Sequence, residues 1–257
     1  MRLILVVPCF NEADRFQLEP WRTWLEQSPG AQLCFVDDGS RDATRAVLQQ
    51  ACSTLADRAF LVGLDHNRGK GEAVRQGLRA ALDHQPHLVG FWDADLATPL
   101  DEVPRLVAAL DRDPTVVGAL AARVRLLGND VRRSAVRHYA GRVFATVASL
   151  LTGLPVYDTQ CGAKLFRPGE AIDRAIATPF SSRWVFDLQL IARLVAAAGP
   201  RSLAEVPVRT WHDVGGSKLR PWHLAGVFRD LFAMQRDLAR CRRRIRELQE
   251  EGVRGPL

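Results

Sequence analysis

The sequence predicts an α/β fold whose sheet is mostly parallel and covered by helices on both faces. Two observations carry that prediction. Short apolar runs of strand length alternate with segments of helical periodicity, and polar, acid-rich motifs follow several of the runs, where an open parallel sheet binds its ligands. The runs are apolar throughout rather than alternating, as strands buried on both faces are.

In chain order, Leu3 to Val7 is the first run, leading into Pro8-Cys9-Phe10-Asn11-Glu12. Leu33 to Val36 is the second and ends in Asp37-Asp38-Gly39-Ser40. Phe60 to Leu64 is the third. Val74, Leu78, Ala81 and Leu82 then recur at helical spacing. Leu88 to Trp92 is the fourth run and closes on Asp93-Ala94-Asp95, after which Val103, Leu106, Val107 and Leu110 again read as helix. Beyond this βαβαβαβ half the pattern changes. A strand is expected at Val116 to Ala121. A basic, helix-like segment with Arg132, Arg133, Arg137 and Arg142 leads into an apolar stretch from Val143 to Val156. Ala163 to Phe166 follows, then a helix from about Trp184 to Ala198 and a strand near Leu203 to Arg209. In the last segment Leu224, Leu231, Leu238 and Ile245 recur every seven residues, and Val227, Met234, Cys241 and Leu248 do so offset by three. That is a heptad pattern. It fits either a coiled-coil seam, with Asp237 and Arg242 able to pair across two parallel copies, or an amphipathic helix on its own domain.

The chain of 257 residues suits one large domain with or without an appendage. Its 47% hydrophobic and 25% charged residues are those of a soluble globular protein. A formal net charge of +6 fits anionic partners, although it also fits a plain arginine-rich usage. The five cysteines have no CxxC or Cys/His spacing, which points to a reduced, cytoplasmic protein without disulfides or zinc. The first apolar run is too short for a signal peptide. Val143 to Val156 is interrupted and falls short of the ~20 residues of a membrane span. The expectation is a soluble protein, with peripheral membrane contact left open by the basic cluster Arg240, Arg242, Arg243, Arg244 and Arg246.

Asp93 and Asp95 stand at i and i+2 where a strand ends, so both carboxylates can approach one ion, and hard oxygen ligands suit Mg²⁺ or Mn²⁺. Taken alone, D-x-D fits a solvated turn before Thr98-Pro99 equally well. Acidic loops after three strands at one sheet edge would repel, and a cation there would offset that cost.

The motifs together resemble those of family-2 glycosyltransferases. Val6-Val7-Pro8-Cys9-Phe10-Asn11-Glu12-Ala13 is similar to their opening segment, Phe35-Val36-Asp37-Asp38-Gly39-Ser40 to their second-strand motif, and His66-Asn67-Arg68-Gly69-Lys70-Gly71-Glu72-Ala73 to their glycine-flanked turn. Asp93-Ala94-Asp95 follows in order and at the family's spacing. Asp158 to Phe166, Arg183 to Asp187 and Gly216-Ser217-Lys218-Leu219 are similar to segments of the dolichyl-phosphate β-glucosyltransferase branch.

The resemblance implies a GT-A fold with a Rossmann-like sheet over residues 1–219, a nucleotide-binding half to about 122 and an acceptor half over 123–219. Residues 220–257 form the heptad-patterned helix. It implies that Pro8, Phe10, Glu12, Val36 and Asp38 surround base and ribose. Asp93, Ala94 and Asp95 meet the diphosphate, with both aspartates ligating the metal. Lys70, Arg123, Ser217 and Lys218 contact the phosphates, the last two from a Gly215-Gly216 lid. Asp187 is a general base if the acceptor is a hydroxyl and an orienting group if it is a phosphate, with an ion pair to Arg183 as the bland reading; Gln160 and Lys164 flank it.

Two departures from the mannosyltransferase branch favour glucose and UDP: Ala97 stands where that branch has Gln, and His212-Asp213 where it has Arg. His212 is either structural or a further metal ligand. The leading expectation is an inverting, metal-dependent transfer of a hexose, glucose, from UDP-glucose to a polyprenyl phosphate. A soluble hydroxyl acceptor, as in natural-product or glycoconjugate assembly, is the alternative enzyme. A sugar-nucleotide-binding protein without turnover is the alternative outside enzymes, and a homo-oligomer, a dimer, would follow from the coiled-coil reading. A nicotinamide site is excluded because no G-x-G-x-x-G follows the first strand. Nucleic acid is not an expected partner, since only net charge speaks for it.

Overall fold

Leu3 to Val7 are all buried, and the two-residue period of a strand divides them between two cores. Leu3, Leu5, Val7 and Cys9 of β1 (Leu3–Cys9) face one core, and Ile4 and Val6 face the other. The computed structural model describes the backbone of residues 1–132, 135–212 and 223–253, and the side chains of 1–131, 141–212 and 229–250.

The first half alternates as expected: α1 (Glu19–Gln27), β2 (Ala31–Asp37), α2 (Thr44–Leu55), β3 (Ala59–Gly63), α3 (Lys70–Asp83), β4 (Leu88–Trp92) and α4 (Val103–Arg112). Then come β5 (Gly118–Ala122), β6 (Asp130–Arg132), α5 (Ala135–Thr152), β7 (Ala163–Phe166), α6 (Glu170–Ile176), α7 (Phe186–Ala198), β8 (Leu203–Pro207), β9 (Thr210–His212) and α8 (His223–Val253).

Seven strands form one sheet in the order β3-β2-β1-β4-β7-β5-β8. All neighbours are parallel except around β7, which runs antiparallel to both β4 and β5. β6 and β9 form a separate parallel pair. Helices α1, α2 and α4 cover one face, with Trp21, Leu48 and Leu106 in its core. Helices α3, α6 and α7 cover the other, with Leu78, Ile176 and Leu190. The strand order reverses between β1 and β4, and the crevice outside their carboxyl ends is where such sheets bind ligands. The antiparallel β7 fills the next position. Its register pairs Ala163 with Trp92, so the residues entering β7 arrive beside Asp93.

α8 corrects the coiled-coil expectation. Leu231, Met234, Leu238, Cys241 and Ile245 are buried within the chain, the first four against Ala148 of α5 and Leu188 and Ala192 of α7. Asp237 pairs with Arg193 of α7 at 2.8 Å rather than with an arginine of a second copy. The heptad spacing therefore reflects an amphipathic helix on its own domain, since a partner helix would have to strip a face already covered. The boundary placed at residues 219 and 220 lies outside the described residues. Among the described residues no helix is long and apolar enough to cross a membrane.

Replacing Leu238 by Ala is expected to lower unfolding stability by about 2–4 kcal/mol in urea denaturation, as a core cavity does. Light scattering of the full chain is expected to give the same mass for both proteins.

Candidate active site

The loop after β4 is fixed before any ligand arrives. Trp92 is wholly buried and donates its ring N–H to the Thr98 carbonyl at 2.7 Å. Asp95 accepts the Ala97 N–H at 3.0 Å, and the Ala97 carbonyl accepts the N–H of His212 in β9 at 3.2 Å. Asp93 donates its backbone N–H to the Gly162 carbonyl at 2.9 Å. A Cβ on Gly162 would overlap the Asp93 carboxylate, so only glycine lets the entry to β7 pass this close.

Asp93 and Asp95 share the cleft as like charges. Loss of hydration, and then the charge of Asp93, raise the Asp95 carboxyl above the usual carboxylate range. The structure already sets one cation against the pair: Lys70 Nζ lies 2.5 Å from Asp93 Oδ1. Lys70 opens α3, directly after Gly69, whose φ of +96° favours glycine. Asp38 holds this turn. Its buried carboxylate accepts the N–H groups of Arg68 (2.7 Å) and Gly69 (2.8 Å) and the Asn67 amide (3.1 Å). Those bonds fill about three of the four acceptor positions of a carboxylate. Asp38 thereby positions Lys70, in addition to the base and ribose contact that the resemblance implies for it. Burial pushes the Lys70 ammonium down, but Asp93 and Asp187 outweigh it and hold it above the ordinary lysine range.

Behind Lys70 lies a second ion pair. Lys164, wholly buried in the middle of β7, donates to Asp187 Oδ1 and to the Cys161 carbonyl, each at 2.6 Å. Asp187 stands in the first turn of α7, where the helix dipole favours a carboxylate. Burial raises its carboxyl, against the pull of Lys164 and Lys70. The pairing with Arg183 does not form; that guanidinium reaches the Asn67 carbonyl at 2.9 Å instead. Asp93, Lys70, Asp187 and Lys164 thus form a file of alternating charge from the cleft into the core. Lys164 is the residue that sequence reasoning left without a role. Its signal was a lysine inside the apolar run Ala163–Phe166, which a buried strand tolerates only with a carboxylate partner.

The loops after β1 and β2 wall one side of the cleft. Asn11 donates its N–H to Ser40 Oγ at 3.0 Å and accepts the Arg41 N–H at 2.9 Å; Glu12 donates its N–H to Thr44 Oγ1 at 2.8 Å and pairs with Arg15. Pro8 and Phe10 are half-buried at this edge. Val36 departs from the expectation. It has no exposed surface and belongs to the core beneath α3, because alternation along β2 turns it away from the cleft.

Arg123 grips Asp158 with a two-pronged pair, Nε to Oδ2 at 2.6 Å and Nη2 to Oδ1 at 2.8 Å, and its guanidinium lies 5.4 Å from the Trp211 ring centre. Asp158 is itself held by Glu205, which accepts the N–H groups of Tyr157 and Asp158. His212 meets Asp130 at 3.0 Å, not Asp93 or Asp95. Among the described residues no three His, Cys, Asp or Glu side chains are grouped to hold a metal. Two hard carboxylates at the cleft fit a divalent ion whose remaining ligands come from water and a bound phosphate. Ser217 and Lys218, with the Gly215-Gly216 lid, lie outside the described residues.

Comparison with known proteins bears on this geometry. Residues 4–169 match the family described as Glycosyl transferase family 2. The dolichyl-phosphate beta-glucosyltransferase of Drosophila melanogaster is 33% identical over 250 residues, covering 90% of this chain and 74% of that protein. The undecaprenyl-phosphate 4-deoxy-4-formamido-L-arabinose transferase of Pseudomonas fluorescens is 29% identical over 231 residues, covering 88% and 63%. Among solved structures, glucosyl-3-phosphoglycerate synthase from Mycobacterium tuberculosis, in complex with Mn²⁺, UDP-glucose and phosphoglyceric acid, superposes with a TM-score of 0.65 at 21% identity, covering 93% of this chain and 79% of that one. That likeness shows the shared fold.

Replacing Lys164 by Met leaves Asp187 buried without its hydrogen-bonded counter-charge. A loss of about 3–5 kcal/mol in urea denaturation is expected, with much of it restored when Asp187 is also replaced by Leu.

Proposed function

Because the chain belongs to glycosyl transferase family 2, we propose that it is an inverting, metal-dependent hexosyltransferase that moves glucose from UDP-glucose to a polyprenyl phosphate. The names of relatives at 33% and 29% identity support a polyprenyl-phosphate acceptor. The observation that carries the reading is the buried Lys164–Asp187 pair. A hydroxyl acceptor needs a general base opposite the leaving group. Asp187, the expected base, is 4% exposed and fixed to a lysine, which suits a positioning residue. A phosphate acceptor is already ionised and attacks without one.

In this reading Asp93 and Asp95 would hold a divalent ion, Mg²⁺ or Mn²⁺, which would supply positive charge against the departing diphosphate. Lys70 is a second cation, placed by the Asp38-pinned turn and by Asp187 behind it. Pro8, Phe10 and Glu12 line the nucleotide side. Arg123 presents to phosphate the edge of its fork that Asp158 does not use, held at the correct tilt by that pair and by Trp211. Ser217 and Lys218 closing over the diphosphate remains a role given by resemblance alone. An acceptor phosphate oxygen attacks the anomeric carbon in line, the bond to the diphosphate breaks, and its electron pair leaves with UDP.

The test is transfer of radiolabel from UDP-glucose to a polyprenyl phosphate in detergent, read as label extracted into organic solvent. Transfer is expected to need Mg²⁺ or Mn²⁺ and to fall at least about a hundredfold in Asp95→Ala, as the loss of several kcal/mol of charge stabilisation implies. Undiminished transfer by that variant with a chelator present would sink the metal assignment. Label appearing only in a water-soluble product would sink the lipid acceptor.

A further inference from the structure

α5 has an inner and an outer face. Ala145, Ala148 and Thr152 turn inward, and Phe144, Val147 and Leu151 pack against the cluster that includes α8. Val143 and Leu150, seven residues apart and on one stripe, are 66% and 68% exposed, with exposed Thr146 between them. The stem of Arg242 in α8 approaches Gly153, just past the end of α5, so this flank of α8 faces α5. Helical spacing puts Phe232, Ala239, Arg243 and Arg246 on the same flank. Phe232 is 72% exposed, and Arg242, Arg243 and Arg246 line one groove there with Glu247 and Glu250. Arg240 and Arg244 add exposed positive charge, Arg244 in part offset by Glu247 at 3.2 Å.

An outward apolar ridge beside an arginine-rich flank is complementary to one kind of surface, anionic outside and apolar beneath. We propose that the outer ridge of α5, with Phe232 and the arginine flank of α8, docks the protein on anionic phospholipid. Val143, Leu150 and Phe232 enter the acyl boundary, and the arginines meet headgroup phosphates. The choice of a lipid surface rests on the polyprenyl-phosphate reading of the acceptor. The ridge also leads to the site: Arg142, beside Val143, lies 4.1 Å over the ring of Tyr157, whose neighbour Asp158 grips Arg123. A docked molecule would therefore take its acceptor from the membrane on the Arg123 side of the cleft.

The full chain is tested by co-sedimentation with vesicles of phosphatidylcholine alone and with phosphatidylglycerol added, neither containing acceptor. Binding is expected only with phosphatidylglycerol and is expected to weaken with salt. Arg243→Glu with Arg246→Glu should lower the partition coefficient at least about fivefold for each arginine lost. Val143→Asp with Leu150→Asp should abolish binding. All these positions are exposed, so both variants should melt with the parent, and both should keep its rate on a short, water-soluble prenyl phosphate. Absent binding by the parent, or binding that survives the apolar variant, overturns the proposal. So does a dimer in light scattering that the apolar variant dissociates, because a second copy would then cover the ridge. Vesicle binding without transfer to any prenyl phosphate would leave the docking face standing and refute the acceptor instead.

Discussion

The Asp93 carboxylate sits where a buried strand, an inserted antiparallel strand and a helix start all meet, and the rest of the site depends on how it is held. β4 delivers it at the topological switch point, and the register of β7 brings Gly162 against it with no room for a side chain. α3 begins at Lys70, which supplies the counter-charge. A carboxylate placed so near the core needs a cation, and the cation so recruited needs a further anion behind it. Asp187 and Lys164 are the consequence, each buried charge neutralised by the next. Such a file adds little net stability compared with an apolar core. What it provides is a fixed position for the Lys70 ammonium, which faces the cleft.

That the ammonium is a lysine carries information. Of 35 basic residues only Lys70, Lys164 and Lys218 are lysines, and all three fall in the recognised motifs. At Lys164 the compact ammonium, wholly buried, meets the Asp187 carboxylate and the Cys161 carbonyl at 2.6 Å each, a point charge between two acceptors. The planar fork appears where room and geometry suit it, at Arg123 with Asp158.

The parts of this architecture legible in the sequence are those with local causes. Uniformly apolar runs place β1 to β4 to within two residues at each end, because strands covered on both faces have no polar alternation. β7 was not legible as antiparallel, since its partners β4 and β5 lie far off in sequence and four residues carry no direction. The heptads of α8 were seen, but the same spacing serves a partner helix and the chain's own core; the burial of Met234 and Leu238 decides between them. At the site, resemblance named Asp93, Asp95, Lys70 and Asp187, which the fold does bring together. It misjudged Val36, whose parity along β2 turns it into the core, and it did not show that Asp38 also holds a turn some thirty residues away. Lys164 went unassigned because its partner is fixed by tertiary structure alone.

The metal site is supplied only in part by the chain, since Asp93 and Asp95 have no third His, Cys, Asp or Glu partner among the described residues. The most direct measurement is the free Mn²⁺ signal in electron paramagnetic resonance, titrated with the full chain in the presence and absence of UDP. The signal is expected to be lost at low protein concentration only when UDP is present, and Asp95→Ala is expected to restore it. Equally tight Mn²⁺ binding without UDP, or binding untouched by Asp95→Ala, would contradict such a site.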